Sequence, residues 1–391
     1  MNASEFWKST RFPSLACLAV ALTSSATWAE EPAPGQDYLH GFASVAYIDT
    51  TGNNFYGNTK HGGEIDYYEA GLNGFAQLHP DLSISGQILS RKAGATDNGA
   101  LRIDYAFLAY RVASQETSDF GLRIGRVRNP LGFYNETRDV IFTRPSILLP
   151  QSAYFEGTGV RELLFVSDGV QLYANWDRES SRTTFKLNIA TDEKASKETR
   201  NNLANGLPGF SVTSLTVKHP VFAQVLHEMD GNRERLAFSY LDTDLDATIA
   251  AGSLAFPITS HDKIYLLSGQ YNAENWTLTS EYTLSSTKTE GLGPSSVTHS
   301  DGLYLQFQYR MTPEWTALLR QDVQYPDRND RSTNASRDST IGISWAPQPA
   351  WLASAEYHQI SGTGGIPAAD NRGMQLAPHT HLLAVMLGYR F

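Results

Sequence analysis

Apolar and polar side chains trade places residue by residue along this chain, in segment after segment from residue 38 to the last. In Leu303–Met311 the odd positions are Leu303, Leu305, Phe307, Tyr309 and Met311, and the even ones are Tyr304, Gln306, Gln308 and Arg310. Trp276, Leu278, Tyr282 and Leu284 share one face of their segment, and Thr277, Thr279, Glu281 and Thr283 the other. Val170, Leu172, Ala174 and Trp176 alternate with Gln171, Tyr173, Asn175 and Asp177; Phe185, Leu187 and Ile189 with Lys186 and Asn188; Leu101, Ile103, Tyr105 and Phe107 with Arg102, Asp104, Ala106 and Leu108. Successive side chains of a strand point to opposite faces, so each segment reads as a two-faced β-strand.

The connections alternate as well. Tight turns are expected at 79–81, 114–119, 178–182, 230–232, 273–275, 312–314 and 347–350. Long polar loops are expected at 50–63, 93–99, 128–159, 192–212, 243–261, 286–300, 326–337 and 361–379. Strands of about ten residues joined alternately by short turns and long loops are the pattern of a transmembrane β-barrel. Seven turns and eight loops imply sixteen strands. The expected fold is therefore all-β: a 16-stranded antiparallel transmembrane barrel over 38–391, closed because lipid tolerates no unpaired strand edge.

Tryptophan supports the same reading. Trp176, Trp276, Trp315, Trp345 and Trp351 each lie within a few residues of a short turn. An indole is suited to a membrane interface, half apolar with a wet N–H. The chain ends HLLAVMLGYRF, and counting back by twos from Phe391 gives Tyr389, Leu387, Val385 and Leu383. This is expected to be a final strand that pairs with the first, with Tyr389 and Phe391 in the same interface belt as the tryptophans.

The N-terminus is set apart from the fold. Lys8 and Arg11 precede the apolar run Leu15–Thr23, and small residues follow up to Ala29, so residues 1–29 read as a cleaved signal peptide for export. A short periplasmic leader at 30–37 comes before the barrel. Taking Lys8, Arg11 and Glu5 from 31 Lys+Arg and 41 Asp+Glu leaves 29 against 40, and the single cysteine, Cys17, leaves with the signal. An acidic chain of this kind argues against nucleic acid as a partner.

With these features in hand, the chain resembles the Gram-negative outer-membrane porins, a superfamily with general and phosphate-selective members. The segment LRIGRVRNPLGFYNETRDVIFTRPSILLPQSAYFEG (122–157) is similar to the stretch where porins leave strand five and enter a long third loop that folds inward. The lysine-rich loop segments of the phosphate-selective members are not evident. The resemblance implies a passive diffusion channel for small hydrophilic solutes or ions. It also implies a homotrimer in outer-membrane lipid and lipopolysaccharide, no cofactor and no catalysis. In the family a terminal aromatic such as Phe391 is read by the barrel assembly machinery.

If the apolar faces meet lipid, the polar faces line a lumen. The strand charges expected there are Arg102, Asp104, Arg123, Lys186, Arg235, Glu281, Arg310, Arg320, Asp322 and Glu356, a basic excess that gives a slight anion preference. The loop 128–159 forms the constriction, with Arg128, Arg138 and Arg144 balancing Glu136, Asp139 and Glu156. Pro145 and Pro150 keep it out of the sheet, and Ile141, Phe142, Ile147, Leu148 and Leu149 are too apolar to face water. The alternative from another class is a barrel hydrolase using His358 and Ser361. His379 with His381 is weighed as a metal pair, and Asp242, Asp244 and Asp246 as a Ca²⁺ site; solvated surface is preferred for both.

Overall fold

The computed structural model describes residues 37–157, 161–291, 293–332 and 334–391. The expected signal peptide and all of the leader but Asp37 lie outside the described residues. The strands are β1 (Tyr38–Thr51), β2 (Glu64–His79), β3 (Leu82–Ala93), β4 (Asp97–Gln115), β5 (Ser118–Arg128), β6 (Val166–Arg178), β7 (Ser181–Ala190) and β8 (Glu193–Lys194). They continue as β9 (Ser211–Met229), β10 (Glu234–Ala251), β11 (Leu254–Asn272), β12 (Trp276–Glu290), β13 (Ser296–Arg310), β14 (Trp315–Tyr325), β15 (Ser336–Gln348), β16 (Trp351–Gly362) and β17 (His379–Arg390). Each pairs antiparallel with its neighbours, and β7 pairs directly with β9, so the two-residue β8 is an addition to the edge of β9. The other sixteen form one sheet.

The sheet closes on itself. β1 pairs with β17 from Phe42↔Arg390 to Thr51↔His381. Gly41 and Phe391 then exchange two backbone hydrogen bonds, at 3.1 and 3.0 Å. The tip of the exposed Phe391 ring lies over Gly41, 2.3 Å from where a Cβ would stand, so a larger residue there must turn that ring aside. Closure removes both edges, as a barrel in lipid needs.

The period-2 pattern sorts cleanly between the faces. Leu303, Leu305, Phe307 and Tyr309 are exposed on the outside of β13, while Tyr304 and Gln306 on its inside have no exposure. Val45, Ile84, Ile124, Phe238, Leu267, Leu319, Ile341, Leu383, Val385 and Leu387 continue the exposed apolar surface around the barrel. An apolar surface this extensive is far larger than a soluble monomer carries, and it matches the hydrocarbon of a bilayer. Trp176, Trp276, Trp315, Trp345, Trp351 and Phe391 are exposed, all near the short-turn end, and Tyr389 is half-buried among them. The Trp315 and Trp345 rings stack at 5.7 Å, and Trp351 meets Tyr389 at 4.7 Å.

Three expectations change. The polar stretch 243–261 is no loop: β10 and β11 run on to the two-residue turn Gly252-Ser253, and Gly252 takes φ +60°. Likewise β12 and β13 cover most of 286–300, and only 94–96 separate β3 from β4. These strands satisfy their backbone groups against each other, so polar sequence is compatible with strand there. Thirdly, a bulge shifts the register of β3 with β4, with Gln87 opposite Tyr105 and Ile88 opposite Ile103. The extra residue turns Tyr105 and Phe107 to the inner face, where Arg128 and Arg123 lie over their rings at 4.9 and 5.2 Å.

Candidate functional site

The longest connection, residues 129–165, forms no strand among its described residues, and its charged side chains meet those of the inner wall. Its neck is fixed by Asn129, whose N–H donates to Phe165 O at 3.0 Å and whose side-chain amide donates to Leu164 O at 2.9 Å. Ser167 and Asn188 on the wall both donate to Asn129 Oδ1, at 2.6 Å each. Gly132 follows with φ +60°, and a Cβ there would come 2.3 Å from the Tyr154 hydroxyl, so the turn admits only glycine. Two short helices, α1 (Gln151–Tyr154) and α2 (Arg161–Leu164), complete the segment. Ile141, Ile147 and Leu148 are buried in one apolar cluster with Ala46, Ile48, Leu382, Ala384 and Met386 from the inner faces of β1 and β17.

On the β2–β4 side the segment meets the wall through ion pairs. Arg91 contacts Glu69 and Asp97 at 3.3 Å each, and also Glu156. Arg144 reaches Glu69 at 2.8 Å, and Arg128 reaches Asp104 at 2.7 Å and Asp139 at 3.1 Å. Arg161 contacts Asp139, and Glu156 at 3.1 Å; Arg138 contacts Glu156 and lies 3.8 Å over the Phe165 ring. Burial pushes the Glu156 carboxyl up, but Arg138, Arg91 and Arg161 outweigh it and hold the group at about 2. Asp139 is likewise held well below the usual carboxylate range, its burial overcome by Arg161, Arg128 and Arg138.

The opposite wall holds the segment differently. Glu281 accepts from the hydroxyls of Tyr154 at 2.6 Å, Ser268 at 2.6 Å and Tyr304 at 2.7 Å, and from Phe133 N–H at 2.9 Å. Glu356 accepts from Ile147 N–H at 2.6 Å, and Asp322 from Ser152 N–H at 3.3 Å. Arg320 donates to Ser146 Oγ at 3.0 Å. Lys186 pairs with Glu136 at 2.5 Å, and Arg235 with Glu228 at 3.0 Å while lying 4.8 Å over Phe133. Toward the short turns the inner wall opens on a vestibule of about 290 Å³, lined in part by Asp81, Arg111, Asp119, Tyr173, Asn175 and Arg182.

At the long-loop end, 52–63 and 363–378 interlock. Asn371 accepts from Asn54 N–H at 2.9 Å, and Asp370 accepts from Tyr56 N–H at 2.9 Å and Ala95 N–H at 2.8 Å. Burial raises the Asp370 carboxyl to about 6.

Most of the charges picked out in the sequence meet at this girdle. Arg310 does not: it is exposed at the turn end of β13 and donates to Glu274 O at 2.9 Å. Arg102 forms a two-pronged contact with Asp97, at 2.9 and 2.7 Å, and Arg123 donates to Gln171 at 2.8 Å. Sequence reasoning missed Glu69, Arg91, Asp97, Arg161, Glu228 and Asp338. Extending the inner phase along β2 and β3 from Tyr67 and Leu89 would have found Glu69 and Arg91. With these residues added and Arg310 removed, the inner wall has no basic excess, so the charge count no longer supports an anion preference.

The hydrolase pairing does not form. His358 is buried on the inner face of β16 against Asp338 at 2.8 Å and Glu356 at 3.3 Å. Ser361 is three residues on, hence on the other face, and contacts His379 at 3.3 Å. His381 is engaged by the Tyr357 hydroxyl at 2.8 Å, and Asp244 by His261 at 2.7 Å.

No protein-family model matches the chain, and no curated protein matches it in sequence. Solved structures match in shape. OmpT of Vibrio cholerae, an outer membrane protein in its trimer form, superposes with a TM-score of 0.58 at 11% identity, covering 91% of this chain and 99% of that one. The fold is that of an outer-membrane β-barrel. Salmonella typhi OmpF, in complex with daunomycin, gives 0.57 at 12% identity, with 91% and 97% covered. The outer membrane channel DcaP of Acinetobacter baumannii gives 0.51 at 13%, again with 91% and 97% covered.

Proposed function

We propose that the protein is a porin: a passive channel through which small hydrophilic solutes cross the outer membrane, with 129–165 lying across the lumen as its constriction. One observation carries this reading. The segment 129–165 meets inner-face side chains on both sides of the barrel, through Arg144 and Glu156 at Glu69 and Arg91 and through the Tyr154 hydroxyl and Ile147 N–H at Glu281 and Glu356, inside a wall whose outer face is apolar. A polar lumen narrowed by opposed charges sorts hydrated solutes by size and charge, and it requires neither a cofactor nor a reacting group. The tryptophans, Tyr389 and Phe391 serve in this reading as the belt at the periplasmic interface. A homotrimer fits the trimer form of the Vibrio cholerae neighbour. Liposome swelling with neutral sugars of increasing size tests the proposal. Swelling that slows steadily with solute size is the expected result; vesicles as tight as protein-free ones contradict it.

A further inference from the structure

Segment 129–165 meets the barrel wall in two chemically different ways, and the difference bears on where a solute passes. On the β2–β4 side the charges answer one another. Arg91 alone faces three carboxylates, and of Arg91, Arg128, Arg138, Arg144 and Arg161 only Arg144 leaves a buried atom, its Nε, without a partner. A solute crossing that side would have to part several buried ion pairs at once.

On the β13–β16 side the fit is incomplete. Gln306, with no exposure, has neither amide atom paired. Asp322 Oδ1, Arg320 Nε, Gln151 Oε1, Ser152 Oγ and Gln324 Oε1 also find no partner among the described residues. Among those residues no carboxylate lies within 4.0 Å of the Arg320 guanidinium, although Arg320 is only 4% exposed. Buried polar groups are almost always paired, so a run of unpaired ones along one seam marks a contact that water enters or that parts. A cavity of about 10 Å³, room for one water, lies on this seam between Leu149, Gln151, Arg320, Asp322, Gln324 and Asp338. A larger one of about 50 Å³ lies among Arg91, Asp97, Asp104, Glu156 and Arg161 on the ion-paired side, so the unpaired groups and not free volume distinguish the seam. The segment is held here by hydrogen bonds to Ser146, Ile147 and Ser152, with no ion pair among the described residues.

We infer that solutes pass along this seam, between residues 148–152 and the inner wall of β13–β16, and that Arg320 and Asp322 set what passes. The inference rests on the channel reading. Unpaired oxygens outnumber unpaired N–H donors on the seam: Asp322 Oδ1 and the amide oxygens of Gln151, Gln306 and Gln324 stand against Gln306 Nε2 and Arg320 Nε. The strait therefore favours cations and donor-rich neutral solutes over anions.

Single cysteines test this in a chain whose one cysteine, Cys17, falls within the expected signal peptide. Gln306→Cys and Gln324→Cys probe the seam, and Gln324, only partly buried, serves if the first variant does not fold. Gln87→Cys is the control, since Gln87 is buried beside Asp104 at 3.4 Å on the ion-paired side. The seam cysteines are expected to react with a cationic methanethiosulfonate about tenfold faster than the control, and to lose current when modified. Asp322→Asn is expected to move the reversal potential in a salt gradient toward the anion side. Faster reaction at Gln87→Cys, or a reversal potential unmoved by Asp322→Asn, overturns the inference. Labelling is also read by mass spectrometry on the folded barrel. A barrel that never conducts but labels fast at the seam refutes the channel reading and leaves the hydrated seam standing; a conducting barrel that labels slowly there refutes the seam alone.

Discussion

Replacing Glu156 by glutamine takes one carboxylate from three buried arginines, Arg91, Arg138 and Arg161, and leaves a buried charge without its counterion. Breaking a buried pair from one side costs about 3–5 kcal/mol, because the partner stays desolvated. The pH dependence gives an independent figure. Glu156 is held at about 2 against an ordinary 4.5. A carboxyl depressed in the folded state contributes its full stability above the unfolded value, and loses it as pH falls through the folded one. The shift corresponds to about 3 kcal/mol at neutral pH, lost between pH 4.5 and about 2. The assay is equilibrium unfolding in lipid vesicles, followed by the fluorescence of the belt tryptophans, for the native chain and Glu156→Gln across that range. The variant is expected to be about 3 kcal/mol less stable at pH 7, with the gap closing as the pH approaches 2. A gap below about 0.5 kcal/mol at pH 7, or one that does not narrow in acid, would refute the view that this network holds the segment to the wall.

Tyr154→Phe removes the hydroxyl that donates to Glu281 and accepts from Tyr134 N–H, and should cost about 1–3 kcal/mol in the same unfolding assay. Gly125→Val puts a Cβ 2.4 Å from the Ala106 backbone oxygen at φ +132°, and should lower the yield of folded barrel, measured as the heat-modifiable band in gel electrophoresis. Asp370 carries the opposite sign to Glu156. Its raised value means that the folded state binds a proton more readily, so this contribution is complete below 3.8 and is lost as pH rises through about 6. Asp370→Asn should remove that slope, which thermal unfolding between pH 4 and pH 7 measures.

The alternation of β12 and β13 told the barrel from the sequence because lipid and lumen impose opposite demands on neighbouring side chains. The same logic placed Glu281, Arg320, Asp322 and Glu356 on the inner wall. It went wrong where the demand lapses. The outer halves of β10 and β11 stand where neither face needs to be apolar, so Asp242, Asp244 and Asp246 read as loop although they pair as strand. The bulge that turns Tyr105 inward depends on the register with Gln87, which no single segment reveals. Partnerships were the least legible layer. Arg91 meets Glu69 across a strand pair and Glu156 from a loop 65 residues away, so its role exists only once the barrel has closed.

Single-channel recording of the purified, folded protein in a planar bilayer tests the channel reading most directly. The expected result is discrete conductance steps, kept small by the proposed constriction at 129–165, that appear without any energy source. A folded barrel that inserts and stays electrically silent would contradict it.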